Sequence, residues 1–208
     1  LLRFNAHYCM TSVELHQIDH HFGEIAALRN LDLRIEPGQY VVLLGQSGCG
    51  KTTALRVIAG LQKPTGGSVS LGDQCVDAVP PRNRPLAMVF QQPAVYPHLN
   101  VAQIIRFGLT SVQTDKHVNT AIELAGVGGW LDRYPDQLSG GQLRRVAIAK
   151  AVAKGQPLRL LDEPLSALDT QTSTQIEQDL RHLHNAVGGT TIHVTHDANE
   201  AMRVADKI

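Results

Sequence analysis

The sequence predicts an α/β fold, in which a mostly parallel sheet carries an antiparallel β subdomain and an inserted helical subdomain. Short apolar runs of strand length alternate with amphipathic runs of helix length, as in a parallel sheet flanked by helices. The first two strand-like runs follow each other across a short loop, which predicts an antiparallel piece. Three helix-like runs then succeed one another between Phe90 and Leu158. They predict a helical insertion at about residues 92–156.

The predicted elements begin and end at turn residues or at changes in hydrophobic period. The predicted strands comprise residues 13–18, 27–35, 40–44, 68–71, 86–90, 158–162 and 190–195. Residues 19–23 are predicted to form the loop between the first two strands. The predicted helices, with apolar residues three and four apart, lie within residues 51–59, 101–107, 118–125, 143–151, 176–187 and 198–205.

Length and composition limit the function classes. At 208 residues the chain can bury a full core, and 19 basic residues balance 19 acidic ones. Because a dedicated nucleic-acid binder is typically basic, no nucleic-acid partner is expected. Three scattered cysteines indicate a reducing compartment. No apolar run approaches the length of a membrane span, so any membrane association is expected to come through a partner.

The predicted domain occupies residues 10–208. Residues 1–9 show no structural pattern, and we expect them to be a poorly ordered extension. Residues 205–208 resemble the opening of another strand, so we expect the chain to be truncated at its C-terminus.

A glycine-rich segment lies between the third predicted strand and the first predicted helix. Its residues are Gly45, Gln46, Ser47, Gly48, Cys49, Gly50, Lys51, Thr52 and Thr53. The spacing fits the phosphate-binding P-loop, or Walker A motif, in which glycines let successive N–H groups point at an anion. Lys51 can neutralise the β- and γ-phosphates and the Thr52 hydroxyl can ligate Mg²⁺. The alternative is a flexible glycine loop, but the flanking strand and helix favour nucleotide binding.

The second motif is acidic and lies at the end of the apolar strand at residues 158–162. Asp162 would stand at the carboxyl end of that strand, where it can bind Mg²⁺, and Glu163 would polarise an attacking water. The alternative is an Asp-Glu pair on the surface. Arg159 is unusual in a buried strand, so we expect its guanidinium to reach the sheet edge or a partner.

A third motif precedes the last helix of the insertion. It consists of Leu138, Ser139, Gly140, Gly141 and Gln142. A serine and two glycines at a helix start offer N–H groups and a hydroxyl to an anion, although Ser139 could simply cap the helix. With this motif, the P-loop and the acidic strand end, the chain resembles the ATP-binding subunit of an ABC transporter. The resemblance covers residues 13–208 and implies the P-loop NTPase fold.

The resemblance implies roles for four more residues. Gln91 matches the glutamine that contacts Mg²⁺ and the water, and His196 matches the histidine that contacts the γ-phosphate. Asp169 matches the acidic residue of the loop after the catalytic glutamate, and Phe22 matches the aromatic residue that stacks on adenine. Each has a structural alternative: Gln91 could cap a strand, Asp169 could start a helix and Phe22 could be a core residue.

The resemblance also implies partners and a cellular role. In the family, two ATPase subunits pair head to tail, so that ATP lies between the P-loop of one and Ser139 and Gly141 of the other. Closure of this dimer on ATP drives a transmembrane permease. The segments at residues 96–99 and 163–166 resemble the importer branch for maltose, glycerol phosphate, polyamines and iron, and by this resemblance the region from Tyr96 to Val101 would help dock a permease helix. A peripheral position on the cytoplasmic face of the inner membrane follows, with a solute-binding protein acting through the permease.

Two other functions are consistent with parts of the sequence. One is a soluble ABC-type ATPase in DNA repair or translation, but the coiled-coil, zinc or second-cassette insertions of such proteins are not evident. The other is a regulatory nucleotide-binding module without turnover. The presence of both Glu163 and His196 argues against that module. An ATPase that powers import is therefore the favoured hypothesis.

Overall fold

Two β-sheets form the centre of the fold. The computed structural model describes residues 10–110, 115–166 and 168–208, so the extension predicted at residues 1–9 lies outside the described residues. Within these ranges each sheet has four strands. The strands are β1 (Val13–Phe22), β2 (Ile25–Ile35), β3 (Tyr40–Leu44), β4 (Gly66–Leu71), β5 (Gln74–Cys75), β6 (Leu86–Val89), β7 (Leu158–Asp162) and β8 (Thr190–Thr195).

The helices pack around and between these sheets. They are α1 (Lys51–Ala59), α2 (Val101–Arg106), α3 (Asp115–Leu124), α4 (Gly140–Ala153), α5 (Thr170–Val187) and α6 (Ala198–Val204). Single turns of 3₁₀-helix stand at Pro81–Asn83, Gly128–Trp130 and Pro135–Gln137. Among the described residues, no helix combines the length and apolar character that crossing a membrane requires.

One of the two sheets is wholly parallel, with the strand order β3-β8-β7-β6. Leu44 pairs with Thr195, Asp162 with Val194 and Val89 with Leu161. Because all four strands run the same way, their carboxyl ends meet at one edge. The segments that follow these ends therefore converge, which is where open α/β sheets place their ligands.

The other sheet is antiparallel, in the order β2-β1-β4-β5. β1 runs on through Phe22, so the prediction of a loop at residues 19–23 was wrong. The register between β1 and β2 shifts at several points, and Gln17 and Asn30 adopt positive φ angles of 49° and 45°. Such irregularities insert residues without ending a ladder. They break the apolar alternation that marks a strand in sequence, although the backbone pairing continues.

Helix α1 lies between the two sheets and joins them. Leu55 and Ile58 are fully buried, and their cluster includes Val69 of the antiparallel sheet and Leu160 and Ile192 of the parallel sheet. Arg84 lies against the end of this helix, where it donates to the carbonyl oxygens of residues 57 and 58 at 2.9 and 2.8 Å. Burial on both sides fixes the helix, and with it the loop that precedes its first turn.

Helices α2, α3 and α4 occupy the chain between β6 and β7. Helix α4 contacts both other helices and also β6. Its buried Val146 and Ala149 share a cluster with Ile105 of α2 and Ala121 of α3. The three helices therefore pack on one another through α4, as the sequence pattern predicts. The proposed boundary at residues 92–156 stays a prediction.

Arg159 lies in the interior of β7 and is only 5% exposed. Its Nη2 donates to the carbonyl oxygen of Gly188, which follows the last turn of α5. A cation at a helix C-terminus compensates carbonyl groups that the helix leaves unpaired. This contact accounts for an arginine in a strand whose other residues are buried as well. The pKa of His184 is lowered to about 4, mainly because His184 is buried and next because the Arg159 guanidinium is near.

Candidate functional site

The glycine-rich loop joins the carboxyl end of β3 to the first residue of α1. Gly50 has φ 97°, and a Cβ there would lie 2.5 Å from the backbone oxygen of Ala27. Glycine is thus required by both conformation and space. Gly50 is also the N-cap of α1 and provides no side-chain hydrogen bond. The first N–H groups of α1 are therefore left for a ligand, and a helix N-terminus favours an anion.

Lys51 lies back across this loop. Its Nζ donates to the carbonyl oxygens of Gly45 at 2.7 Å and Gln46 at 2.8 Å, and lies 3.7 Å from the Cys49 sulfur. These contacts place a positive charge beside the N-terminus of α1. The loop thus combines a side-chain ammonium with backbone N–H groups, the donors that phosphate oxygens require.

Thr52 connects the loop to the end of β7. Its Oγ1 donates to Oδ1 of Asp162 at 2.7 Å, and Asp162 is only 2% exposed. A hydroxyl and a carboxylate oxygen in contact are the protein ligands that Mg²⁺ takes when nucleotide phosphates supply others. No group of three or more His, Cys, Asp or Glu side chains forms a metal cluster in the described ranges. The donor set therefore suits Mg²⁺ bound together with phosphates, rather than a metal held by the protein alone.

Glu163 is held by two other predicted site residues. Gln91 donates from Nε2 to Oε2 of Glu163 at 2.9 Å, and Nδ1 of His196 lies 3.5 Å from Oε1. The backbone of Glu163 has φ 44°, and its N–H donates to the Val194 oxygen at 3.0 Å. A non-glycine residue in this conformation is strained, and such strain concentrates at functional sites. The carboxylate therefore has two side-chain partners, and it follows Asp162 directly in the chain.

A buried network supports the loop that carries His196. Glu200 accepts from the Thr195 hydroxyl at 2.6 Å, and that same hydroxyl accepts from the N–H of Asp197 at 3.1 Å. Oε1 of Glu200 lies 2.8 Å from Nε2 of His193, although neither atom has a hydrogen bond of good geometry. The residues on both sides of His196 are thus tied to Glu200. Sequence reasoning missed Glu200, although the spacing from Asp197 to Glu200 is that of a helix-capping pattern.

The third motif forms the start of α4. Ser139 accepts from the N–H of Gln142 at 3.3 Å, and the Gln142 side chain accepts from the N–H of Ser139 at 2.9 Å. A Cβ on Gly141 would lie 2.8 Å from Cγ2 of Thr172, whereas one on Gly140 would meet nothing within 4 Å. Gly141 therefore lets α4 pack closely against Thr172 of α5, and the space around Gly140 leaves the start of α4 accessible. Ser139 caps the helix, as the alternative interpretation held, which does not prevent contact with an anion.

Asp169 and Phe22 lie at the ends of other elements. Asp169 caps α5 by accepting from the N–H of Thr172 at 2.9 Å. That backbone bond, followed by the Thr172 side chain, lowers the pKa of the Asp169 carboxyl. Phe22 ends β1 with about half its surface exposed, and the ring of His20 meets it edge-on with centroids 4.7 Å apart. The exposed ring of Phe22 is available for stacking.

The site residues thus fall into two groups. Contacts at the carboxyl edge of the parallel sheet connect Lys51 to the glycine loop, Thr52 to Asp162, and Glu163 to both Gln91 and His196. In the described part of the chain, no hydrogen bond joins this group to Phe22, to Asp169 or to residues 139–142. One group can bind phosphate and a divalent cation and activate water. The other offers a helix start and an aromatic face.

Comparison with known proteins identifies the family of the chain. Residues 28–166 match the ABC transporter family. The chain is 43% identical over 204 residues to the sulfoquinovosyl glycerol transport ATP-binding protein SmoE of Agrobacterium fabrum, covering 96% of this chain and 57% of that protein. It is 42% identical over 210 residues to the trehalose/maltose import ATP-binding protein MalK of Thermococcus litoralis, covering 96% and 56%. The chain spans little more than half the length of these curated relatives.

A solved structure has the same fold. It is the ATP-binding cassette MJ0796 in a dimeric post-hydrolysis state bound to ADP and Pi, with a TM-score of 0.77 and 34% identity. The alignment covers 92% of this chain and 91% of the other. The predicted fold class and family resemblance are confirmed, and the chain belongs to the ABC transporter family.

Proposed function

We propose that the chain binds ATP with Mg²⁺ and hydrolyses it at the carboxyl edge of the parallel sheet. One observation carries this proposal: the Glu163 carboxylate is held by Gln91 and His196 beside the Thr52–Asp162 pair. A fixed carboxylate next to a cation-binding pair is the arrangement that orients water for attack on a phosphoryl group.

The residues divide the chemistry among them. The N–H groups of residues 45–53 and the Lys51 ammonium hold the β- and γ-phosphates, while Thr52, Asp162 and Gln91 are the proposed Mg²⁺ ligands. Bound Mg²⁺ would neutralise charge on the phosphate oxygens. Glu163 accepts a proton from the water that attacks the γ-phosphorus, and the bond to the β-phosphate oxygen breaks. Positioning and charge stabilisation therefore account for catalysis.

A second copy of the chain, or a paired ATPase subunit, would complete the site. The start of α4 has no hydrogen bond to the P-loop in the described part of the chain. The N–H groups of Gly140 and Gly141 and the hydroxyl of Ser139 can still donate to an anion, while Gln142 completes the cap that holds this helix start. A two-fold pair would bring them to the γ-phosphate of its partner and create two equivalent sites. Asp169 would lie near the same interface, and Phe22 would stack on adenine. The dimeric state of the similar cassette supports this proposal.

An apolar groove supports a second partner, a membrane permease. It has a volume of about 170 Å³ and lies between β6 and α4, beside Tyr96. Lys150 donates to the Tyr96 hydroxyl at 3.0 Å and lies 4.2 Å from the ring centre. Burial lowers the pKa of Lys154, and the neighbouring Lys150 lowers it further. An apolar helix with an acidic residue would complement such a groove.

The names of the relatives indicate what the permease would transport. The relative SmoE is named for sulfoquinovosyl glycerol transport. Three other relatives are named for import of xylose/arabinose, of sn-glycerol-3-phosphate and of trehalose/maltose. We therefore propose that this ATPase powers import of a sugar or sugar-like solute through a separate permease, from the cytoplasmic face of the inner membrane. A solute-binding protein would act through the permease. These names do not favour a soluble ATPase of DNA repair or translation.

Replacement of the Glu163 carboxylate tests the proposed chemistry. The variant Glu163→Gln should still bind ATP with Mg²⁺ but lose turnover by about a thousandfold, because the amide cannot accept the proton. The matched control is Glu123→Gln on the exposed face of α3, which should leave turnover unchanged. Steady-state phosphate release and binding of a fluorescent ATP analogue measure the two effects. Full turnover in Glu163→Gln would remove Glu163 from the proposed role.

A further inference from the structure

A second cavity opens beside the proposed hydrolysis site. It has a volume of about 350 Å³ and lies between residues 91–92, the start of α4 and the segment after β7. Its polar lining comes from Gln91, Gln92, Arg144 and Ser166, and Gly140 contributes backbone. Among the described residues that line it there is no carboxylate, and their only formal charge is the Arg144 guanidinium. The cavity is therefore positive, and its Arg144 and Gln92 have no part in the proposed hydrolysis.

The Arg144 guanidinium is buried without a counter-charge. Its residue is only 5% exposed, Nη1 donates to the Phe90 carbonyl oxygen at 2.9 Å, and Nε has no hydrogen-bond partner. In the described residues it forms no ion pair, and burial alone lowers its pKa. A buried charge without a partner costs stability by several kcal/mol. A native arginine in such a position is explained if an anion binds next to it.

The rest of the lining also favours an anion. The side-chain amides of Gln91 and Gln92 can donate, and α4 presents the N-terminus of a helix of 14 residues at Gly140. Arg144 stands one turn further along the same helix, so its charge and the helix dipole add at the same wall. The volume is ample for a tetrahedral oxyanion with several waters.

Gln91 connects this cavity to the catalytic carboxylate. It lines the cavity and donates to Glu163 at 2.9 Å. We propose that the cavity binds inorganic phosphate, the product that hydrolysis would release next to Glu163. The proposal rests on the proposed function for the origin of the phosphate, but binding itself requires no turnover. A carboxylate from a partner protein would satisfy Arg144 equally, which makes direct binding of free phosphate the decisive observation.

The test must separate this cavity from the P-loop, which also binds phosphate. The variant Lys51→Gln weakens phosphate binding by the P-loop. The double variant Lys51→Gln/Arg144→Gln also removes the positive charge of the cavity. The control Lys51→Gln/Arg82→Gln removes an exposed arginine instead. Each protein is titrated calorimetrically with sodium phosphate against sodium chloride of equal ionic strength, without nucleotide. In parallel, thermal unfolding is followed at tenfold excess of phosphate over its Kd.

Phosphate should bind Lys51→Gln and its Arg82 control alike, and raise their Tm by about 3–5 °C. In the variant that also lacks Arg144 this shift and the binding heat should disappear. Loss of phosphate binding in Lys51→Gln alone, or its persistence without Arg144, would overturn the proposal. If Arg144→Gln does not fold, wild-type crystals soaked in tungstate decide the question. A tungstate peak beside Arg144 supports the site, and one confined to the P-loop refutes it.

Discussion

Replacement of Glu200 by alanine tests whether the buried network positions His196. Glu200 accepts from the Thr195 hydroxyl at 2.6 Å, and that hydroxyl accepts from the N–H of Asp197. A hydrogen bond to a charged group contributes about 1.5–3 kcal/mol, and Glu200 is only 6% exposed. The Glu200→Ala variant should therefore unfold with a free energy lower by about 2–3 kcal/mol. Denaturant unfolding measures this loss.

The same variant should separate catalysis from binding. The loop around His196 loses its attachment, while the glycine loop and Thr52 keep their contacts. We expect kcat to fall by about tenfold and the ATP KM to change by less than twofold, because only charge stabilisation of the γ-phosphate is impaired. ATP turnover at a temperature where both proteins are folded measures the ratio. A stability loss with unchanged kcat would show that Glu200 supports the fold without positioning His196.

Three further predictions follow from local geometry. Gly50→Ala should lower ATP affinity at least tenfold because its Cβ would meet the Ala27 oxygen at 2.5 Å; Gly48→Ala, with φ 84° and no atom within 4 Å, should cost less. If ATP titrations show that the two variants lose the same affinity, the clash with the Ala27 oxygen is not the cause. Thr52→Val should remove the Mg²⁺-dependent part of ATP affinity and leave Mg²⁺-free binding unchanged. The pKa of His184 is lowered from 6.5 to about 4. As the pH falls, His184 therefore takes up its proton in the unfolded chain before it does so in the folded one. The free energy of unfolding should be independent of this group above pH 6.5 and should fall by up to about 3 kcal/mol between pH 6.5 and pH 4. His184→Gln should flatten that slope in unfolding curves across the range.

The parallel sheet and its edge were predictable because their signals are local. A short apolar run, a glycine loop and a helix fix the place of Lys51, and an apolar run ending in Asp162 fixes the adjacent strand. Strands that run parallel must bring these ends together. Sequence alone therefore predicted which segments meet, and the contact from Thr52 to Asp162 is a consequence of that topology.

Other features depend on tertiary contacts that no short segment encodes. β1 continues past Gln17 because a shift in register absorbs the irregularity, whereas in sequence the apolar alternation simply stops. Glu200 lies on α6 and reaches Thr195 only because the helix packs back on β8. Arg144 is one of two adjacent arginines. Only the structure shows that Arg145 pairs with Asp179, whereas Arg144 is buried and pairs with no acidic side chain of the described ranges.

The proposed completion of the site by a second subunit is the central claim. Mass measurement in solution tests it with the slow variant Glu163→Gln, in the presence and absence of ATP and Mg²⁺. With nucleotide this variant should be a dimer, and without nucleotide a monomer. Adding Ser139→Arg, which places a long cation at the start of α4, should keep it monomeric although ATP still binds. A Glu163→Gln protein that stays monomeric with ATP, or a double variant that still dimerises, would contradict the account.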